Sequence, residues 1–347
     1  MTWHGIIGHD KVVEQFRRAL VRGRLASSFL FAGPPGIGKR SFAIKFAQAL
    51  LCENNPAEAL DPCEHCPACI QVIAGTHPDF QLLSKPDDKS FIPLELLIGD
   101  KEHRRREGLC HYIALKPMMG RRKIAVIDDA DYLNAEGANA LLKTLEEPPP
   151  RSVLILIGAS PAKQLPTIRS RCQLIRFQPL DADAVAQLLS AQGIIADSAE
   201  ALRLAQSSEG SIERAAELAD AELWKFRDAL YQRLAAERLD SVSLARLTAK
   251  FVEEAGKDAA PRRRRLHQVI GFAADFYRQL LRAANGAPNT ENTQPDRLID
   301  EALMRQHPAT EKTIARLERC LDADQQIDRN ANQSTLIETW LDDLAGA

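Results

Sequence analysis

Apolar residues recur at helical spacing over residues 9–22, where Val12, Val13, Phe16, Ala19 and Leu20 share one face and charges fill the other. Phe29-Leu30-Phe31-Ala32 is then apolar without interruption and predicts a buried strand, after which Ser41–Leu51 returns to a helical pattern. The alternation continues. Phe80–Leu83, Ile124–Ile127, Val153–Ile157 and Leu174–Phe177 are further predicted strands. Ala138, Leu141, Leu142 and Leu145 fall at i, i+3, i+4 and i+7, which predicts a helix stopping at Pro148-Pro149-Pro150. Residues 85–110 are charge-rich and predict a loop plus a helix containing Arg104, Arg105 and Arg106. Strands that are apolar along their whole length and alternate with helices predict a parallel sheet covered on both faces. The first domain is therefore expected to be α/β over residues 1–178.

The pattern changes after Gln178-Pro179. No strand candidate follows, and segments 182–193, 197–206 and 211–238 are rich in Ala and Leu with helical periodicity. The remainder stays helical apart from Asn285–Pro295, whose Gly, Pro and Asn content predicts an exposed loop. A helical domain over 179–238 and an all-helical domain over 239–347 are expected.

Composition adds limits. A chain of 347 residues with 45% apolar residues and a net charge of -2 has ample core and no global attraction to nucleic acid. Neither a charged-then-apolar leader nor an apolar run of spanning length is read, so a cytoplasmic protein without membrane contact is expected. Four of the seven cysteines lie between Cys52 and Cys69, which suggests a metal site in a reducing compartment rather than a disulfide framework.

Two stretches carry chemistry. Gly33-Pro34-Pro35-Gly36-Ile37-Gly38-Lys39 follows a strand and opens a helix, as a phosphate-binding loop does: its amides, the helix dipole and Lys39 all favour an anion. Strand 124–127 delivers Asp128 and Asp129 at its carboxyl end, where a first acid holds Mg²⁺ through water and a second, normally Glu, orients the attacking water. Arg40, however, stands where the motif requires Ser or Thr. Ser41 is rotated about 100° away along the helix, and Asp129 is a methylene shorter than Glu. Weak phosphate binding with slow or absent hydrolysis is expected, and Mg-ATP on this chain is in doubt.

Cys63, Cys66 and Cys69 are each separated by two residues, and Cys52 precedes Cys63 with ten residues between, a gap filled by loop proline and acidic residues. Four thiolates complete a closed tetrahedral zinc site, with structural and not catalytic use. An iron–sulfur cluster or paired disulfides are the competing readings, and His65 is read as a bystander.

The glycine loop, the four cysteines, Gly75–Asp79, Asn139–Pro149, Ser170-Arg171-Cys172 and, loosely, Asn330-Ala331-Asn332 together resemble the bacterial clamp-loader family of the DNA polymerase III holoenzyme. The resemblance is tight over the first ~180 residues and loose beyond. It implies an AAA+ P-loop domain with an inserted zinc module at about 52–69, a helical lid over 179–238 and a helical collar over 239–347. It implies that Arg171 is an arginine finger acting in trans on a neighbour's ATP, and that Arg214 in Gly210–Arg214 lies near the nucleotide, against the alternative of an exposed helix arginine. Ala159 and Ser160 both fit the first sensor position. The implied partners are gamma/tau and delta subunits, with the sliding clamp and primed DNA reached through the complex.

The chain is thus expected to be a non-motor subunit. The enzyme alternative is a gamma/tau-type motor with its own ATPase, and a third class is a stand-alone zinc-dependent nucleic-acid binder. Arg262–Arg265 are expected to form a solvated helix face rather than a DNA contact, and Arg121-Arg122-Lys123 simply to precede a strand.

Overall fold

The computed structural model describes residues 3–86, 89–104, 106–119, 121–256, 258–286, 294–306, 309–329 and 331–346. The chain forms two units, Met1–Ala219 and Asp220–Ala347. The expected helical segment 179–238 is divided between them.

The first unit is built on β1 (Ser28–Ala32), β2 (Phe80–Leu83), β3 (Lys123–Ile127), β4 (Ser152–Gly158) and β5 (Gln173–Arg176). They form one five-stranded sheet in the order β2-β3-β4-β1-β5, with every neighbouring pair parallel. The three central strands, β1, β3 and β4, are buried along their whole length because alternate residues enter two different cores. Phe29 and Phe31 face a core shared with α1 (Asp10–Val21) and α2 (Lys39–Leu51), where Phe16, Phe42, Phe46 and Phe177 cluster. Phe16 and Phe46 meet at 4.3 Å between ring centroids. Leu30, Ala125, Ile127, Leu154 and Leu156 face the opposite core. That side is covered by α4 (Leu94–Ile98), α5 (Gly108–Ala114) and α6 (Ala135–Glu146), with α7 (Pro166–Arg169) leading into β5.

An additional helix, α3 (Pro67–Ala74), begins inside the cysteine segment and runs past Cys69. The helix expected to contain Arg104–Arg106 is corrected. Arg104 and Arg106 lie in turns between α4 and α5, and Arg105 lies outside the described residues. Gly99 and Gly108 bracket this stretch at φ 82° each, and the Asp100 carboxylate accepts the N–H groups of Glu102 and His103, so the chain turns instead of continuing helically. Helices α8 (Ala182–Ala191), α9 (Ser198–Ser207) and α10 (Ile212–Leu218) complete the unit, each capped by a side-chain oxygen, from Asp181, Asp197 and Ser211 respectively.

The second unit consists of helices α11 (Ala221–Leu234), α12 (Ser241–Glu253), α13 (Ala259–Ala284), α14 (Gln294–Gln306), α15 (Thr310–Asp328) and α16 (Gln333–Gly346). Asp220 caps α11, so the helical segment expected over 211–238 comprises two helices, α10 and α11. Its core holds Trp340, Tyr277, Phe276 and Leu266, and Phe226 stacks on Phe251 at 4.1 Å. Within Arg262–Arg265, Arg262 donates to the Gly256 carbonyl, while Arg265 pairs with Asp220 and lies over the Phe251 ring. The Asn285–Pro295 loop falls largely on residues 287–293, outside the described residues, as does Asn330; α14 already begins at Gln294. Among the described residues no helix is long and apolar enough to cross a membrane.

Candidate phosphate-loop and cysteine sites

The carboxyl ends of β1, β3 and β4 bring the glycine loop, Asp128–Asp129 and Ala159–Ser160 to one edge of the sheet. Gly36 and Gly38 adopt φ 71° and 88°, which a side chain would strain. A Cβ on Gly33 would meet the Phe177 carbonyl oxygen at 2.5 Å, so the loop also needs glycine for close packing.

Four carbonyls of this loop already have partners. Lys39, buried, donates to Gly33 O at 2.6 Å and Pro34 O at 2.5 Å. Ile212 at the start of α10 donates its N–H to Gly36 O at 2.9 Å, and the buried His9 ring donates from Nε2 to Ile37 O at 2.8 Å. Burial lowers the Lys39 pKa, with Asp128 and Asp131 acting in the opposite direction.

Arg40 does not extend freely into solvent. Its Nη1 stands 3.3 Å from Asp128 Oδ2, so a guanidinium is paired with the acid that would hold the metal. Asp128 Oδ1 accepts the Asp129 N–H at 3.1 Å. Asp129 sits at φ 58°, and burial together with the Asp128 charge raises its pKa. Ser41 is exposed on α2.

Asp131 was not singled out from the sequence, yet it orders the end of β4. Its carboxylate accepts the Ala159 N–H and the Gln164 Nε2, each at 2.6 Å, in space left by Gly158. The run Asp128-Asp129-Ala130-Asp131 was the available signal. Ser160 Oγ accepts the Ala162 N–H at 3.2 Å, and Ala159 carries no polar side chain. Arg214 lies in the first turn of α10, the helix that meets the loop at Gly36, and its guanidinium is 3.4 Å from Glu209.

Arg171 follows α7. Its guanidinium bonds Thr167 O and Ser170 Oγ, and pairs with Glu146 Oε1 at 2.6 Å. Burial raises the pKa of the adjacent Cys172 thiol to about 12, which keeps it protonated. Glu146, at the end of α6, was missed from sequence because 25 residues separate the pair.

The cysteines converge. Cys52 ends α2, Cys66 caps α3, and all four sulfurs lie within 4.8 Å of one another. Tetrahedral zinc with Zn–S bonds of about 2.3 Å spaces its sulfurs about 3.8 Å apart, and the Cys63 and Cys69 sulfurs stand 3.9 Å apart. Backbone N–H groups point at the sulfurs: Asn55 and Cys63 toward Cys52, Cys66 toward Cys63, and Cys69 toward Cys66. Against a burial that raises it, such N–H donors, from Glu53 and Cys69, bring the Cys66 thiol down to about 7. None of the four is in a disulfide. This donor set fits a thiolate-bound metal.

The cysteine segment is also tied to its surroundings. Trp3 Nε1 donates to Leu60 O, Lys45 pairs with Glu64, and Arg121 donates to the carbonyls of Glu53 and Asn55. Arg121 therefore does more than precede a strand. Its neighbour Lys123 is buried against Asp79 at 3.1 Å, and the same carboxylate accepts the N–H groups of Met118 and Met119.

Residues 8–181 match the family described as DNA polymerase III, delta subunit. The delta' subunit of Pseudomonas aeruginosa is 38% identical over 151 residues, covering 44% of this chain and 43% of that protein. The delta' subunit of Bacillus subtilis is 32% identical over 208 residues, covering 60% and 58%. The tau subunit of Bacillus subtilis is 32% identical over 225 residues, covering 65% of this chain and 36% of tau. The chain spans about half the length of the two delta' relatives.

Proposed function

This chain belongs to the DNA polymerase III, delta subunit family, and we propose that it is the delta-prime-type, non-motor AAA+ subunit of a clamp loader. In this reading it assembles with gamma/tau and delta subunits, and supports ATP-dependent placement of the sliding clamp on primed DNA. Residues 1–178 form its AAA+ domain, 179–238 its lid and 239–347 its collar.

The observation that carries the reading is the Arg40–Asp128 pair. A P-loop ATPase uses a hydroxyl after the lysine and a carboxylate on the next-but-one strand to hold Mg²⁺. Here a cation pairs with that carboxylate, and the second acid is Asp129, a methylene shorter than the usual Glu. Gly33–Lys39, Arg40, Ser41, Asp128, Asp129 and Arg214 thus form a retained nucleotide scaffold without hydrolytic equipment. Arg171 is the residue that acts on ATP: delivered to a neighbour's site, its guanidinium offsets charge developing on the γ-phosphate. The alternative of a gamma/tau-type motor needs Ser or Thr at 40 and Glu at 129.

Cys52, Cys63, Cys66 and Cys69 hold structural zinc in the same proposal. The metal supplies no reaction step; it fixes a segment that would otherwise be loop.

Two measurements test these assignments. The isolated chain with Mg-ATP is expected to show background turnover, and turnover in the range of ordinary P-loop ATPases would overturn the non-motor reading. Protein purified under reducing conditions is expected to contain one zinc per chain, and metal-free protein would overturn the zinc assignment.

A further inference from the structure

Of the four cysteines, Cys63 alone is only partly buried. Loss of metal from a closed thiolate site begins at whichever sulfur solvent, protons or a chelator can reach, so Cys63 is the weak corner. Two exposed side chains stand over it. Asn54 Nδ2 is 3.4 Å from Cys63 Sγ and 3.3 Å from His65 Nε2. His65 Nδ1 is 2.6 Å from the Cys63 carbonyl oxygen.

The network fixes its own protons. A carbonyl can only accept, so His65 Nδ1 carries the hydrogen and Nε2 is left as an acceptor. Asn54 faces two acceptors, the sulfur and Nε2, and only the NH₂ end of its amide satisfies both. The amide is therefore a two-pronged donor: one hydrogen to the sulfur, one to the imidazole. His65 is not a bystander, nor is it a ligand; it holds Asn54 in the orientation that serves the sulfur.

Resting on the zinc reading above, we propose that Asn54 is a positioning residue for the metal site, locked by His65 over Cys63 to slow zinc release. Donation to a metal-bound thiolate withdraws charge from it, which disfavours its protonation and its attack on electrophiles. Partners outside the ligand set typically change metal affinity by about 10–100-fold when removed.

The test compares wild type with Asn54→Ala, Asn54→Asp and His65→Ala, all at exposed positions whose replacement leaves the core intact. Zinc transfer to a chromogenic chelator and alkylation of Cys63 are timed, and Co²⁺-loaded protein is checked for its thiolate-to-cobalt absorption. The expected result is release about tenfold faster in Asn54→Ala. Asn54→Asp, which turns a donor toward the sulfur into a negative acceptor, should release faster still, and His65→Ala should fall between wild type and Asn54→Ala. All should keep the four-sulfur cobalt spectrum. Release and alkylation within twofold of wild type in Asn54→Ala and Asn54→Asp alike would overturn the role. Wild-type protein without metal would instead overturn the zinc assignment on which the role depends.

Discussion

Arg40 Nη1 lies 3.3 Å from Asp128 Oδ2, joining the residue after the loop lysine to the acid at the end of β3. The pair is half-exposed at its arginine end, so its contribution to stability is at most about 1 kcal/mol. Its consequence is chemical. Arg40→Ser should leave Tm nearly unchanged while freeing Asp128 for a metal. Nucleotide affinity measured by calorimetry should then rise about tenfold or more when Mg²⁺ is present, a change of ~1.4 kcal/mol. Equal Mg²⁺ dependence in wild type and variant would show that Arg40 does not stand in for the ion.

The buried pair of Asp79 and Lys123 has a different weight. Both side chains are almost fully removed from water, and Asp79 also accepts two backbone N–H groups from Met118 and Met119. Asp79→Asn keeps the shape but leaves buried Lys123 without its counter-charge. A loss of about 3–5 kcal/mol is expected from denaturant unfolding, with the Met118–Met119 loop the first segment to gain hydrogen exchange. A loss below about 1 kcal/mol would mean that the pair behaves as a surface contact.

His9 connects stability to pH. Burial lowers its pKa below the ordinary 6.5, and it stays neutral while donating to Ile37 O. His77 is lowered by burial in the same direction. For a base whose folded pKa is depressed, the unfolded chain binds the proton first. Its contribution is therefore complete above about pH 6.5 and is lost as pH falls from there through the lowered folded value. Urea unfolding should show stability falling from pH 7 toward pH 5, with a shallower fall in His9→Gln. An identical slope in that variant would remove His9 from the account.

Much of this was legible in the sequence, and the reason is physical. Phe29–Ala32, Ile124–Ile127 and Val153–Ile157 are apolar throughout because both faces of the sheet are covered, which made the strands readable. Cys63, Cys66 and Cys69 repeat at a spacing that brings thiolates together, so that site was readable too. The contacts that give the sites their character were not. Arg40 meets Asp128 across 88 residues and Arg171 meets Glu146 across 25, and no local periodicity encodes such pairings. The helix expected over Arg104–Arg106 failed for a local reason: in a charge-rich, only partly periodic stretch, Gly99, Asp100 and Gly108 impose turns.

The most direct test of the central claim concerns Arg171. At rest its guanidinium pairs with Glu146, a partly exposed contact that costs little to break. In a clamp loader reconstituted with the motor subunits, single-turnover hydrolysis is measured at the neighbouring site, with clamp and primed DNA present. Arg171→Ala should assemble normally and slow that site by on the order of 10³-fold, while Arg40→Ala leaves it unchanged. Unaltered hydrolysis in Arg171→Ala would contradict the account.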